Sequence, residues 1–460
     1  MARPLNTVAR EALLAKFRAG PQGATALASA LEISPRTALR LLAELGDAIV
    51  AAGQAQRRRY AARRPLRGVA AGLPVFAVDE TGRVTEAAAL HPIQPQGCLC
   101  PLVALGWPVD DESRDGWWGG LPYPLYDMQP QGFLGRAFAR SSHAELEVPA
   151  RPDEWGDDDV LHVLARRGED CGGHLIVGTA SLRRHQQQRQ LAAEPLAGDQ
   201  IEPSYVAAAM QAASLGSAGS SAGGEFPKFT ARRVLAAAAA CEVIVKFSGV
   251  ADAPATLRWA DLLVCEHLAL QRVPLLGAAG AAPTRLLQAA GRTFLESERF
   301  DRVGAWGRRP LVSLRALNGH LRRLPTQDWR VHAARLAARG LIDTDTVAAI
   351  TRLWWFGRLI ANSDMHLGNL SFQPQQGHLL LAPAYDMLPM AFTPLPGGEV
   401  PEPQWDFELP LPAERPAWLA ACDAALRFWA DAARDARISP GFRAQAAALG
   451  QRLGLVRERC

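Results

Sequence analysis

The chain has 460 residues, 48% of them hydrophobic and 21% charged, with a formal net charge of +4, which is enough apolar material for two or three domains with a large buried core. No run of 18 apolar residues occurs, and the amphipathic start MARPLNTVAREALLAKF lacks the apolar stretch of a signal peptide, so neither a membrane partner nor export is expected. Seven scattered cysteines match no disulfide framework and no zinc-site spacing, and the cytoplasm is the expected location.

Residues 1–67 carry twelve basic and four acidic side chains, a net of +8 that leaves −4 for the rest of a chain totalling +4. Within them ATALASAL reads as a short first helix. LEISPRTALRLLAEL reads as a turn and a second helix, with Ser34 as N-cap and Pro35 at the first helical position. Ala38, Leu41, Leu42 and Leu45 form the apolar stripe of that helix, and Arg36 and Arg40 share an exposed face with Thr37 nearby. AIVAAGQAQRRRYAARR follows as a short hairpin with a basic second strand. The assembly resembles a winged helix-turn-helix whose wing carries Arg57, Arg58 and Arg59. Duplex DNA is the partner expected for it, with arginines on phosphates and Arg36, Thr37 or Arg40 on bases. The plainer reading is a small interaction module with solvated arginines.

Between Pro74 and about Leu182, strand-like runs (PVFAVDETGRV, HLIVGTASL) alternate with loops rich in Gly, Pro and Trp, and no chemistry can be assigned. RRHQQQRQLAAEPLAGDQIEP is polar and aperiodic and reads as a connection. SLGSAGSSAGGEFPKFT then sets Gly216, Gly219, Gly223 and Gly224 ahead of Lys228, and CEVIVKFS is a β-branched strand containing Lys246. Only three of the 50 basic side chains are lysines, and Lys228 and Lys246 are two of them. Glycine-freed amides can cradle phosphate oxygens and a strand lysine can hold one as a point charge. A flexible linker would look similar, and the Walker A pattern is absent.

The helix WADLLVCEHLAL comes next, and further on the core helix AAITRLWWFGRLIA runs into the polar loop ANSDMHLGNLSF. Two short strands around a turn end in LAPAYDMLP. Glycine loop, strand lysine, helix, a loop with Asp364 five residues before Asn369, and then Asp386 is the order of parts that phosphoryl transfer from ATP uses. Singly, each has a plainer role: Asp364 as a turn cap, His366 as a core histidine, Asp386 as a helix cap.

The segments SSAGGEFPKF, VIVKF, ESERFDR, NSDMHLGN and LAPAYDMLP resemble the motif series of the HipA-type serine/threonine kinases of bacterial toxin-antitoxin systems. The fused helix-turn-helix is similar to the YjjJ (HipH) branch. That resemblance implies an α+β, protein-kinase-like fold with a mixed small lobe and a mainly helical large lobe, divided as 1–67, 74–300 and 301–460. It implies ATP and Mg²⁺ as cofactors, with Gly223, Gly224, Lys228 and Lys246 at the phosphates, Glu298 to Phe300 as the adenine hinge and Asp301 near the ribose. Asp364 would be the catalytic aspartate with His366 beside it, Asn369 and Asp386 would ligate Mg²⁺, and Ser220 or Ser221 would be autophosphorylated. The glutamate pairing with Lys246 would be Glu266, or its place would be taken by Asp261. By the same likeness the protein substrate would be an aminoacyl-tRNA synthetase or another translation component, and the chain could form a homodimer. Two rivals share the loop chemistry: an aminoglycoside- or choline-kinase-like phosphotransferase, and a transcription regulator that senses ATP without turnover.

Overall fold

The computed structural model describes residues 7–68, 72–215, 226–234, 240–277, 280–321 and 323–460. Three helices, α1 (Thr7–Lys16), α2 (Ala24–Ala30) and α3 (Pro35–Leu45), and the antiparallel strands β1 (Gln22–Gly23), β2 (Ile49–Ala52) and β3 (Arg59–Ala62), in sheet order β1-β3-β2, form the first unit. The Ser34 hydroxyl accepts from Thr37 N at 3.1 Å, so α3 starts where an N-cap followed by proline predicts. Leu42 and Leu45 pack against Leu13, Phe17, Leu27 and Ile49 with Leu41 at the margin, and Arg36 and Arg40 remain exposed. This unit packs directly onto the next: Val50 and Ala61 meet Ile93, Leu99 and Trp117, and Arg64 and Arg67 pair with Asp158 and Asp159.

A five-stranded antiparallel sheet follows, built from β4 (Leu73–Val78), β5 (Val84–Pro92), β6 (Cys98–Leu99), β7 (Trp117–Trp118) and β8 (Leu175–Val177) in order β7-β6-β5-β4-β8. Helices α4 (Tyr123–Met128), α5 (Gly132–Leu146), α6 (Asp157–Arg167) and α7 (Thr179–Leu191) accompany it. Helix α7 corrects the expectation of a connection through RRHQQQRQL. Its arginines and glutamines are good helix formers, and it buries only Ser181 and His185, which leaves no apolar stripe to read. Ser181 Oγ donates to Leu164 O at 2.7 Å and accepts from Gly168 N at 2.9 Å, anchoring α7 to α6.

Beyond helix α8 (Ile201–Leu215) lies a second, separate antiparallel sheet. Its strands β9 (Lys228–Val234), β10 (Ala240–Phe247), β11 (Thr284–Ala289) and β12 (Arg292–Glu298) run in order β11-β12-β10-β9, with helix α9 (Pro254–Arg272) between β10 and β11 in the chain. Strand alternation decides what each face carries. Val243, Val245 and Phe247 pack with Ile201, Tyr205 and Ala209 of α8, which leaves Lys246 for the opposite face. Residues 74–300, expected as a single lobe, thus hold two sheets.

The remainder is mainly helical. The short strands β13 (Arg302–Val303) and β14 (Gly307–Arg308) pair with each other, and β15 (Val312–Ser313) joins β16 (Ser371–Gln375) and β17 (His378–Leu381). Helices α10 (Leu314–His320), α11 (Trp329–Ala338), α12 (Thr344–Leu359), α13 (Arg415–Arg434) and α14 (Pro440–Arg459) complete the fold, with Trp329, Trp355, Phe356, Trp418 and Trp429 in its core. The architecture is mixed α and β. Among the described residues no helix is long and apolar enough to cross a membrane.

Candidate active site

Lys246 leaves β10 toward α9, where its ammonium lies 2.7 Å from both carboxylate oxygens of Glu266 and pairs also with Asp386. Asp261 is excluded as the partner. It sits five residues earlier, about 140° away around the helix, and its carboxylate accepts from Ser439 N and Oγ at 2.7 and 2.6 Å. Burial alone would lower the Lys246 pKa, but Asp386 and Glu266 more than reverse this, and the net shift is upward. Glu266 is raised by burial against the pull of Lys246, whereas Asp386 is lowered, the effect of Lys246 and Lys228 exceeding that of burial. The ammonium is therefore firmly charged, and Asp386 is an anion. Lys228 stands directly opposite Lys246 across β9 and β10, which brings two of the chain's three lysines to one place.

The polar loop after α12 is held by its asparagines. Asn362 Oδ1 accepts from Asp364 N at 3.0 Å and its Nδ2 donates to Asp386 O at 3.2 Å, while Asn369 Nδ2 donates to Asp364 O at 2.8 Å. Asp386 has φ +54°, a left-handed conformation that aspartate tolerates better than most residues. His366 Nδ1 accepts from Gly368 N at 3.0 Å and caps the turn Leu367–Asn369, which leaves the proton of the neutral ring on Nε2. A cavity of about 320 Å³ gathers Lys228, Lys246, Asp364, His366, Asn369 and Asp386 on its wall. Magnesium takes one or two protein carboxylates together with phosphates and water, so Asp386 with the Asn369 amide oxygen is a suitable donor set.

Residues that were not foreseen also shape this site, Asn362 beside the cavity and Phe226 and Arg315 on its wall. Asn362, 1% exposed, couples the loop to Asp386, and it is one of only four asparagines in the chain, two of which lie in this loop. Phe226 closes one wall, 5.9 Å from the Lys246 ammonium. Arg315 reaches in from α10, so close to Gly368 that a Cβ there would lie 2.4 Å from its guanidinium. No local pattern marks either of these two.

Other expected residues lie outside this cavity. Glu298 ends β12 with its N–H donated to Pro283 O at 2.9 Å, and the Phe300 ring stands 5.6 Å from that of Tyr385. Asp301 requires a correction. It is 5% exposed, and its carboxylate accepts from Arg299, Arg302 and Gly173 N, so it is a buried counter-charge and not a free ribose acceptor. Gly216, Gly219, Ser220, Ser221, Gly223 and Gly224 fall outside the described residues.

Burial raises the pKa of Asp301, but Arg299 and Arg302 reverse this and hold it well below the usual range. Its contribution to stability is therefore complete above pH about 4 and is lost as pH falls toward its depressed folded value. Asp301→Asn, which strips Arg299 and Arg302 of a buried partner, is expected to cost about 3–5 kcal/mol at pH 7. Urea unfolding at pH 7 and pH 3 should show the difference from wild type shrinking at the lower pH.

In the first unit, Arg36 and Arg40 lie exposed on α3, Arg40 being 3.8 Å from Glu44, and the Thr37 hydroxyl is 2.8 Å from Ser34 Oγ. The wing arginines differ among themselves. Arg57 corrects the expectation of a free phosphate contact, because its Nε binds Asp115 at 3.2 Å and its Nη2 binds Asp111 O at 3.0 Å. Arg58 donates to the Tyr60 hydroxyl at 3.1 Å, and Arg59 is exposed beside the acidic residues Asp111, Glu112 and Asp115.

Comparison with known proteins matches residues 69–186 to the middle domain of YjjJ-like toxins and residues 220–439 to the HipA-like C-terminal domain. Toxin YjjJ of Escherichia coli (strain K12) is 38% identical over 440 residues, covering 96% of each chain. Among solved structures, a chain of the Shewanella oneidensis MR-1 complex of HipA, HipB and operator DNA aligns with 84% of this chain and 97% of its own, at 13% identity and a TM-score of 0.49. The Helicobacter pylori proinflammatory kinase CtkA aligns with 35% of this chain and 53% of its own, at 17% identity and a TM-score of 0.27. On the sequence relationship, which spans nearly its whole length, the chain belongs to the YjjJ-like branch of the HipA-type toxin family.

Proposed function

We propose that the chain is an ATP- and Mg²⁺-dependent protein kinase acting on serine or threonine. The observation that carries this reading is the convergence in one cavity of Lys246, bonded to Glu266 and Asp386, with Asp364 and Asn369. Lys246 and Lys228 supply positive charge for the phosphates of ATP, and Asn369 and Asp386 are the residues that would hold magnesium. The metal, when bound, neutralises charge building up on the phosphate oxygens. Asp364 orients the substrate hydroxyl and takes its proton as the oxygen–γ-phosphorus bond forms and the bond from γ-phosphorus to the β-phosphate oxygen breaks, releasing ADP.

Labelled ATP incubated with the purified chain, Mg²⁺ and a cell lysate tests the reading. Label on a protein supports it, and an aminoacyl-tRNA synthetase or another translation component is the substrate class implied by the family resemblance. Label on small alcohols alone would instead indicate an aminoglycoside- or choline-kinase-like enzyme. ATP binding without transfer would indicate a nucleotide-sensing regulator. Phosphate on Ser220 or Ser221, read by mass spectrometry, together with weaker ATP binding by the modified form, would add self-inactivation: a phosphoserine dianion is incompatible with a loop that must cradle ATP phosphates.

Residues 1–67 extend the proposal to duplex DNA, supported by their net +8 and by the exposure of Arg36 and Arg40 on a capped helix. Fluorescence anisotropy of the full chain should show affinity falling with salt, at a log-log slope of about −0.9 per phosphate neutralised. Arg58→Ala and Arg59→Ala should each flatten that slope by about one. Arg57→Ala should change it less, because Asp115 and Asp111 already hold that guanidinium. Arg36→Ala or Arg40→Ala should relax sequence preference. Salt-insensitive binding would indicate a protein-interaction module, and a homodimer would suit a palindromic operator.

A further inference from the structure

A second cavity, of about 720 Å³, shares no wall residue with the Lys246 cavity and is of the size that holds small-molecule ligands. Helices α7 and α8, strand β9 and the β13–β14 hairpin form its sides. The connection between α7 and α8 closes its rim and is pinned there: Leu196 N donates to Arg232 O and Leu196 O accepts from Val234 N, both at 2.9 Å, which adds a link to the free edge of β9. The cavity is therefore a built feature of the fold.

Its polar end contains donors without acceptors. Arg308 is 5% exposed and forms no ion pair among the described residues. Its Nη2 donates to Glu169 O and to His185 Nδ1, while Nη1 has no hydrogen-bond partner. His185 is 1% exposed. Because its Nδ1 accepts from Arg308, its proton lies on Nε2, which is also unpartnered. Burial and Arg308 push His185 down to about 4, so the ring stays neutral with that tautomer fixed. Burial and the charge of Arg302 bring Arg308 down to about 10, which still leaves it a cation at neutral pH. Beside them, Glu169 Oε2 is a buried acceptor without a donor. Unsatisfied buried polar atoms cost about 1–3 kcal/mol each and are rare in native proteins. With Arg232 Nε, four such atoms belong to residues lining one ligand-sized cavity, which points to a ligand that completes them. The rest of the lining is mixed: Leu191, Leu196, Ala208 and Phe229 form an apolar stretch, with Leu191 left 83% exposed, and Glu194, Arg232 and Glu242 stand among the polar residues of the wall.

We propose that this cavity binds a small organic oxyanion, whose charged group meets Arg308 and His185, whose hydrogen-bond donor meets Glu169, and whose apolar or aromatic body lies along Leu191, Leu196 and Phe229. The site is separate from the one assigned to ATP and does not depend on that assignment.

The probe is 1-anilinonaphthalene-8-sulfonate, which combines an anion, an N–H donor and aromatic rings, titrated into the full chain by fluorescence and calorimetry. Its uncharged counterpart is N-phenyl-1-naphthylamine. One saturable site is expected. Arg308→Met should weaken the sulfonate by about tenfold or more and the uncharged probe by less than about twofold, as loss of a charge-assisted contact requires. Ala208→Phe narrows the cavity without changing a charge, keeps the test valid if Arg308→Met fails to fold, and should weaken both probes by about tenfold. Displacement of the sulfonate by 1-naphthyl phosphate or by 1-naphthoate supports the site and ranks phosphate against carboxylate. Displacement by neither, or equal sulfonate binding by wild type and Ala208→Phe, overturns the proposal.

Discussion

Asp364→Asn is expected to lower phosphoryl transfer by about 10²- to 10⁴-fold, the usual contribution of a positioned general base, with little change in ATP affinity. The main chain of Asp364 is fixed from both sides, by Asn362 Oδ1 on its N–H at 3.0 Å and by Asn369 Nδ2 on its carbonyl at 2.8 Å. The substitution therefore leaves the loop in place and removes the carboxylate alone. The side chain is exposed on the cavity wall, so the variant should unfold within about 0.5 kcal/mol of wild type. Single-turnover transfer from labelled ATP, with ATP binding measured in parallel, separates the two effects. Equal turnover by variant and wild type would remove the kinase reading.

Lys246→Met is expected to damage both binding and folding. Glu266 is 1% exposed and Asp386, its side chain 33% exposed, is held against the same ammonium, so the substitution leaves one buried and one partly buried carboxylate without their counter-charge. Breaking a buried pair by removing one partner typically costs about 3–5 kcal/mol. The sign of the pH dependence follows from Glu266, whose folded pKa burial already holds above the ordinary value with Lys246 present. Without the ammonium it rises further, and a raised carboxyl favours the folded state below the unfolded value of about 4 and loses that support as pH rises through the folded value. The deficit against wild type should therefore be smaller at pH 5 than at pH 8 in urea midpoints, while Mg²⁺-dependent ATP binding is lost at both. A deficit independent of pH would show that the two carboxylates do not bear the uncompensated charge.

The Ser34 cap with Pro35, the strand bearing Lys246, and the asparagine-rich loop between a core helix and two short strands were all legible in the sequence, because cap, alternation and turn signals act over a few residues. Motif order carried further, marking Lys246, Asp364, Asn369 and Asp386, which the fold then brought to one cavity. Tertiary structure alone decided between Glu266 and Asp261, since helix phase relative to a strand registers only when the two pack. It alone buried Asp301 with its chain neighbours Arg299 and Arg302, since burial depends on what packs over them, and it turned Arg57 toward Asp115, because a partner across 58 positions of chain leaves no local trace. It also made a helix of a polar run with no apolar stripe, anchored by one buried hydroxyl and one buried imidazole. Local steric and hydrogen-bonding preferences are written in adjacent residues, whereas the pairing of buried charges and the position of a cavity depend on which distant segments meet.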